Sequence, residues 1–351
     1  MANMAQAVRL ALHYAEESLG VTDVFGEDVG PPLGGVFTET QGLRTAWNSP
    51  LDERGIIGVA MGLAMAGQRP VAEIQFCDYI YNTIDLLKMA GNTCWTTNGD
   101  WNLPMVVKTP VGSGIRGSVY HSHSFDATAT HLPGWKIVMP STPLDAYGLL
   151  ISACQDENPV MYLEPKALLR IKGEELIPGE PSDDRQLSKM IDAPLGDRSK
   201  WKPDWPKVEP YAVPIGKAKV VREGDALTVV SYGRTLPLCA RAAAGLAEAG
   251  IRAEVIDLRS LWPYDWEAIR TSVEKTGKVL FVNEDTEVTN FGEHLVRRAV
   301  EDLFYRLEAP PRLLAGKFLP GIGLADALEM ASVPQLADIT EAMRLLAAER
   351  P

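Results

Sequence analysis

Apolar positions recur every three to four residues over 3–19, which predicts an amphipathic helix, and the short run VFGED that follows predicts a strand. The alternation continues down the first half of the chain. GIIGVAMGLAMAG (55–67) predicts a Gly/Ala-rich helix, PVAEIQF (70–76) a strand, 79–93 a helix and PMVVKTP (104–110) a strand. PLDAYGLLISACQD (143–156) then predicts a helix and PVMYLEP (159–165) a strand. Strands separated by helical stretches of 10–15 residues form parallel sheets, because each helical crossover returns the chain to the end of the sheet from which the previous strand started.

The pattern breaks over 172–213, which is rich in Pro and in both charge signs and holds no sustained period. Two readings stand open here: a mobile linker, or a connection pinned to a surface by the spaced aromatics Trp201, Trp205 and Tyr211. A second alternating unit follows. ALTVVSYG (226–233), RAEVIDL (252–258), KVLFVNED (278–285) and PRLLAG (311–316) predict strands. Helices are expected up to about 249, near 265–275, near 291–306 and at the C-terminal VPQLADITEAMRLLAAE. The expected fold class is α/β with two doubly wound domains, the second the smaller.

Composition narrows the function more than the fold. The chain has 351 residues, 46% of them hydrophobic, enough for two cored domains. A net charge of −12 argues against nucleic-acid binding, which needs Lys and Arg clustered on a basic face. Cys77, Cys94, Cys154 and Cys239 are widely spaced with no C-x-x-C pair, which indicates neither a zinc ribbon nor a disulfide framework. The first 20 residues read as a helix rather than a secretory signal, and no run approaches 18 apolar residues, so no membrane span is expected and the expected location is the cytoplasm.

Candidate chemistry concentrates in three places. Neither a dinucleotide-binding G-x-G-x-x-G nor a P-loop is present. Glu53 opens the Gly/Ala-rich helix, where it either caps the free N–H groups or is held ready for a protonatable ring nitrogen. Phe76, Tyr79 and Tyr81 lie where strand turns to helix, at the carboxyl end of a parallel strand where such sheets bind ligands; they suit stacking on a planar cofactor or packing in the core. GSVYHSHSFDATATH (117–131) holds His121, His123 and His131. These three fit a zinc site, acid–base and substrate handling, or loop hydrogen bonding, and a Gly/Ser loop without an evident carboxylate partner disfavours the metal.

Eight segments in order, FGEDVG, GGVF, TQGL, SPLDERGIIGVAMGLAMAGQRPVAEIQFCDYI, HSHS, HLPGWKIVMPSTPLDAYGLL, DENPV and VIDLRSLWPYD, carry a resemblance. Together they resemble the β-subunit of the thiamine-diphosphate-dependent first component of 2-oxo acid dehydrogenase complexes, over roughly 20–170 and 215–300. The resemblance implies a thiamine-pyrimidine-binding, transketolase-like domain over 1–175, a long connection over 176–213 and a transketolase C-terminal-like domain over 214–351. It implies that Glu53 binds the pyrimidine N1′ and activates the cofactor, that Phe76 and Tyr79 wall the pyrimidine, and that His121 guides the bound intermediate to a lipoyl group. Backbone carbonyls near Met105, Ala153, Cys154, Asp156 and Asn158 would hold a structural potassium ion.

The family's diphosphate anchor, a GDG followed by Asn that holds Mg²⁺, is absent from this chain, which has only NGDW, GDR and EGDA. The resemblance therefore implies a separate α-subunit that carries Mg²⁺, two α and two β chains, and a lipoyl-bearing acyltransferase partner. The chain departs from the family at His123, Phe125-Asp126, DLL, MAG and the C-terminal KFLPGIGLADALEMAS. The substrate stays open between a branched-chain 2-oxo acid and pyruvate. An acetoin-cleaving relative, a non-catalytic structural paralogue and a zinc hydrolase are the competing readings.

Overall fold

The computed structural model describes residues 1–198 and 200–350. Residues 1–110, 132–164 and 168–215 form one compact unit, and 111–131, 165–167 and 216–351 a second. The first begins with α1 (Met4–Ser18), started by a reciprocal cap: Asn3 accepts from the Gln6 N–H and Gln6 from the Asn3 N–H. Then come β1 (Asp23–Gly26), β2 (Ala46–Asn48), α2 (Glu53–Met65) and β3 (Pro70–Glu73). A 3₁₀ turn (Cys77–Thr83) leads into α3 (Ile84–Thr96) and β4 (Val106–Val111). The short α4 (Asp126–Thr130) belongs to the second unit. β5 (Lys136–Val138), α5 (Pro143–Gln155), β6 (Val160–Pro165) and α6 (Asp184–Ile191) complete the first.

The strands of this unit run in the order β5-β6-β4-β3-β1-β2, and the pairings β1–β2, β1–β3, β3–β4 and β5–β6 are parallel. β3, β4 and β6 are buried along their whole length, as strands of a sheet covered on both faces should be. α1 lies against α5, and Tyr147, Leu150 and Tyr162 fill the space beneath.

The described parts of 172–213 are pinned rather than loose. The Trp205 ring stacks on His13 at 4.0 Å, and Trp205, Val208 and Tyr211 pack against the core. Tyr147 donates to the Glu209 carbonyl at 2.9 Å and Ser152 to the Val213 carbonyl at 2.6 Å. Each of these bonds ties the irregular backbone to α5, which satisfies groups that a sheet or helix would otherwise pair.

The second unit holds β7 (Lys219–Arg222), β8 (Leu227–Ser231), α7 (Thr235–Glu248), β9 (Ala253–Asp257) and the short β10 (Ser260–Trp262). α8 (Trp266–Thr276), β11 (Val279–Thr286), α9 (Phe291–Leu303) and β12 (Arg312–Gly316) follow. The chain closes with α10 (Asp326–Ser332) and α11 (Leu336–Ala348). Its sheet runs β12-β11-β8-β9-β7, parallel except for β7, which pairs antiparallel with β9. Asp265 and Asn290 cap α8 and α9 through their side chains, and Gly277, at φ +68°, ends α8 in the left-handed conformation that glycine tolerates.

Candidate active site

Glu53 is the first residue of α2 and is partly exposed. The helix has Asp52 as its N-cap without a side-chain cap bond, and the Glu53 carboxylate accepts a long contact from Asn82 Nδ2 at 3.4 Å. A carboxylate there sits in the favourable field of the helix N-terminus. Glu27 follows directly on β1; burial, then Asp28 and Glu53, push its carboxyl above the usual range. Tyr79, in the 3₁₀ turn after β3, has its hydroxyl pushed up by burial and then by Asp78, Glu27 and Glu53. So Glu27, Glu53 and Tyr79 lie within electrostatic reach of one another at the carboxyl side of β1 and β3.

Phe76 is buried, with its ring edge-on to Phe37 (5.9 Å) and to Tyr79 (6.3 Å). The result is an aromatic wall beside two carboxylates, suited to a flat ring that carries a protonatable nitrogen. In the sequence Glu27 is the first acid of FGEDVG. Its signal was an acidic pair placed directly after a parallel strand.

Beneath this edge lies a charged layer that the sequence reading missed. Lys108 on β4 is fully buried and pairs with Glu164 of β6 (2.8 Å), Glu73 of β3 (3.0 Å) and Glu39 (2.5 Å). Glu73 and Lys108 face each other across the β3–β4 ladder. Burial alone would push the ammonium down, but Glu164, Glu39 and Glu73 outweigh it and hold Lys108 well above its usual range.

The carbonyls expected around potassium also belong to the first unit. Those of Cys154 and Asp156 accept from Arg69 Nη1 at 3.3 and 3.2 Å, that of Ala153 from the Asp156 N–H, and that of Met105 from the Val160 N–H. The Asp156 carboxylate accepts from the Asn158 N–H at 3.0 Å and pairs with Lys136. Cys154 and Asp156 thus already attract one cationic group, and a carbonyl's second lone pair leaves room for an ion.

The histidines sit in the second unit. His121 ends a 3₁₀ turn (Ser118–Tyr120), and its Cβ lies 2.7 Å from where a Cβ on Gly117 would stand, so position 117 demands glycine. His123 meets the Phe125 ring edge-on at 6.3 Å. Exposed His131 borders a cavity of about 200 Å³ shared with His294, Trp262 and Phe291. Among the described residues, His13, Glu16 and Glu17 form the one group with metal-like spacing, and the three loop histidines form none. Glu16 there is engaged by the N–H groups of Arg44 and Thr45 and by the Thr45 hydroxyl, all at 3.0 Å.

Next to these histidines, Asp126 opens α4 fully buried, and its Oδ2 accepts from the Tyr232 hydroxyl at 2.9 Å. Burial and then Asp285 push its carboxyl well above the usual range.

Residues 1–172 match the transketolase pyrimidine-binding domain, and residues 216–339 the transketolase C-terminal domain. A 2-oxoisovalerate dehydrogenase subunit beta of Bacillus subtilis (strain 168) is 39% identical over 349 residues, covering 97% of each chain. One from Pseudomonas aeruginosa is 41% identical over 320 residues, covering 89% of this chain and 86% of its own. A pyruvate dehydrogenase E1 component subunit beta of Acholeplasma laidlawii is 35% identical, covering 99% and 98%. In fold, the chain superposes on a split-gene transketolase (an inactive beta4 tetramer) with a TM-score of 0.73 over all of both chains at 19% identity. With two transketolase-type domains in this order and end-to-end similarity to such subunits, the chain belongs to the β-subunit family of the 2-oxo acid dehydrogenases.

Proposed function

We propose that this chain is the β-subunit of a heteromeric dehydrogenase that decarboxylates a branched-chain 2-oxo acid or pyruvate oxidatively and passes the acyl group to a lipoyl group. The observation that carries this reading is the acidic and aromatic edge formed by Glu53, Glu27, Phe76 and Tyr79, in a chain related end to end to such subunits. Thiamine diphosphate, when bound, supplies the carbon nucleophile and electron sink. Glu53 holds a proton at the pyrimidine N1′, Phe76 and Tyr79 orient the ring and exclude water, and His121 moves a proton on the reacting group.

Magnesium belongs with an α-subunit, since no GDG motif is present to hold it. The carbonyls of Met105, Ala153, Cys154, Asp156 and Asn158 would take potassium beside Arg69. An assembly of two α and two β chains, serving a lipoyl-bearing acyltransferase in the cytoplasm, completes the reading. It is supported by an apolar face on α2 and α3 that this chain alone leaves uncovered, where Trp95 is 86% exposed, Met89 59% and Met65 53%, and nothing lies within 4 Å of a Cβ placed on Gly58 or Gly62. Among the described residues no helix is long and apolar enough to cross a membrane.

The test is hydrogen–deuterium exchange at the thiazolium C2 in the complex reconstituted with an α-subunit. Glu53→Gln keeps size but cannot hold the N1′ proton in the same way, and exchange should slow by roughly 2–4 orders of magnitude. Exchange at the wild-type rate would reduce Glu53 to a helix-terminal charge and move the activating carboxylate elsewhere.

A further inference from the structure

The loop that carries His121 and His123 is an improbable backbone. Gly112, Gly114, Arg116, Ser118 and Phe125 all have φ between +57° and +106°, and three of these are not glycine. Such residues persist only where their surroundings over-determine them. The surroundings here are carboxylates of the second unit. Glu284 accepts from the Ser113 hydroxyl (2.7 Å) and N–H (3.3 Å), and Asp285 from the Ala127 N–H (3.0 Å). The Gly112 N–H donates to the His123 carbonyl at 2.7 Å, which closes the loop on itself.

The remaining contacts come from the segment 317–332. Glu329 on α10 is 4% exposed and accepts from the Gly114 N–H at 2.8 Å and the Arg116 N–H at 3.3 Å. Backbone N–H groups that converge in alternating left- and right-handed conformations make an anion-binding nest, and the Glu329 carboxylate is its anion. Asp326, one turn earlier, accepts from Arg116 Nη2 at 2.6 Å. Gly321 packs so closely on Val119 that a Cβ at 321 would come within 2.5 Å of its methyl group. One segment therefore touches the loop at Gly114, Arg116 and Val119, immediately before His121.

We propose that Glu329 is a positioning residue for His121: its buried carboxylate holds the 112–120 nest closed, so that the histidine is presented in one place. This rests on the reading of His121 as the group that handles protons on the reacting species. Glu329 itself touches no reacting atom, and it acts only through the loop.

The experiment uses the reconstituted α/β complex and four variants, Glu329→Ala, Glu329→Gln, Asp326→Asn and His121→Ala. Amide hydrogen exchange over 112–127 should accelerate about tenfold or more in Glu329→Ala, less in Glu329→Gln and Asp326→Asn, with β8 and β11 unchanged. Lipoyl-coupled kcat should fall about 10- to 100-fold in Glu329→Ala with little change in KM, as expected when a reacting group is misplaced by about an ångström, and Glu329→Gln should recover part of it. Unchanged exchange over 112–127 in a folded Glu329→Ala overturns the proposal, and so does faster exchange with undiminished lipoyl-coupled turnover. If Glu329→Ala does not fold, Glu329→Gln and Asp326→Asn decide by the same two readings. If His121→Ala turns over like wild type, the reading of His121 fails, and the proposal, which rests on it, falls with it. If instead His121→Ala fails to transfer and Glu329→Ala transfers normally, the positioning role alone is lost.

Discussion

The two units bury acid in opposite ways. In the first, Glu39, Glu73 and Glu164 converge on one ammonium, Lys108, and all four side chains are at most 3% exposed. In the second, Asp126 is equally buried, its neighbours Asp285 and Glu284 are acidic, and its hydrogen bond comes from a neutral phenol, Tyr232. A buried carboxylate is costly unless a cation balances it or a proton neutralises it. The first cluster uses a cation and still has three acids for one positive charge. Burial, together with the neighbouring carboxylates, outweighs Lys108 and pushes Glu73 and Glu164 upward. In the second cluster burial and then Asp285 push the Asp126 carboxyl upward, toward its neutral form. Buried Glu39 Oε1, Glu164 Oε1 and Asp126 Oδ1 lack hydrogen-bond partners, as a carboxyl short of donors would. The difference teaches that a buried charge cluster and a buried neutral acid call for opposite experiments: remove the cation from one and the charge from the other.

Removing the cation should have the largest effect. Lys108→Met leaves three carboxyls facing one another in a dry layer and should cost about 3–5 kcal/mol, read by chemical denaturation of the purified protein. A loss below about 1 kcal/mol would mean that the acids are already protonated and that the two clusters are alike.

Tyr232→Phe is the intermediate case. It strips Asp126 of its donor and should cost about 1–3 kcal/mol in the same measurement. Wild-type stability would show that the phenol is not what accommodates the acid.

Asp126→Asn should have the smallest effect at low pH, within about 1 kcal/mol, because there the carboxyl is neutral in the folded and the unfolded chain alike and is replaced by a neutral amide of the same shape. Its signature is the pH dependence. Asp126 has a folded pKa above its unfolded value, so it contributes stability that is present at low pH and is lost as pH rises through the folded value. Asp126→Asn carries no such loss and should gain on wild type as pH increases. Parallel stability curves across that range would show Asp126 ionised in the fold.

Much of this molecule was legible in the residues themselves. The helices at 4–18, 143–155 and 235–248 and the strands β6, β8, β9 and β11 follow their apolar periodicity to within a residue or two. Glu53 was readable because a Gly/Ala-rich run marks the helix it opens, and Phe76 and Tyr79 because they sit where a strand ends. Such features are set by neighbours two to four positions away. The three-residue strands β2, β5 and β10 were not readable, being too short to show a period. Nor was β7: Lys219–Arg222 is an edge strand without a buried face, so no alternation betrays it.

The sequence by itself determined the α/β alternation, the order of the two domains and the residue types available for chemistry. Only the tertiary structure decided what those residues meet. Lys108 finds Glu39, Glu73 and Glu164 from three other segments, Asp126 finds Tyr232 across 106 positions, and the histidine loop is held by Glu329 across 213 and 215. Periodicity reports which face of an element is apolar. The partner of a buried carboxylate depends instead on strand order and on where a distant helix begins, which no local pattern records.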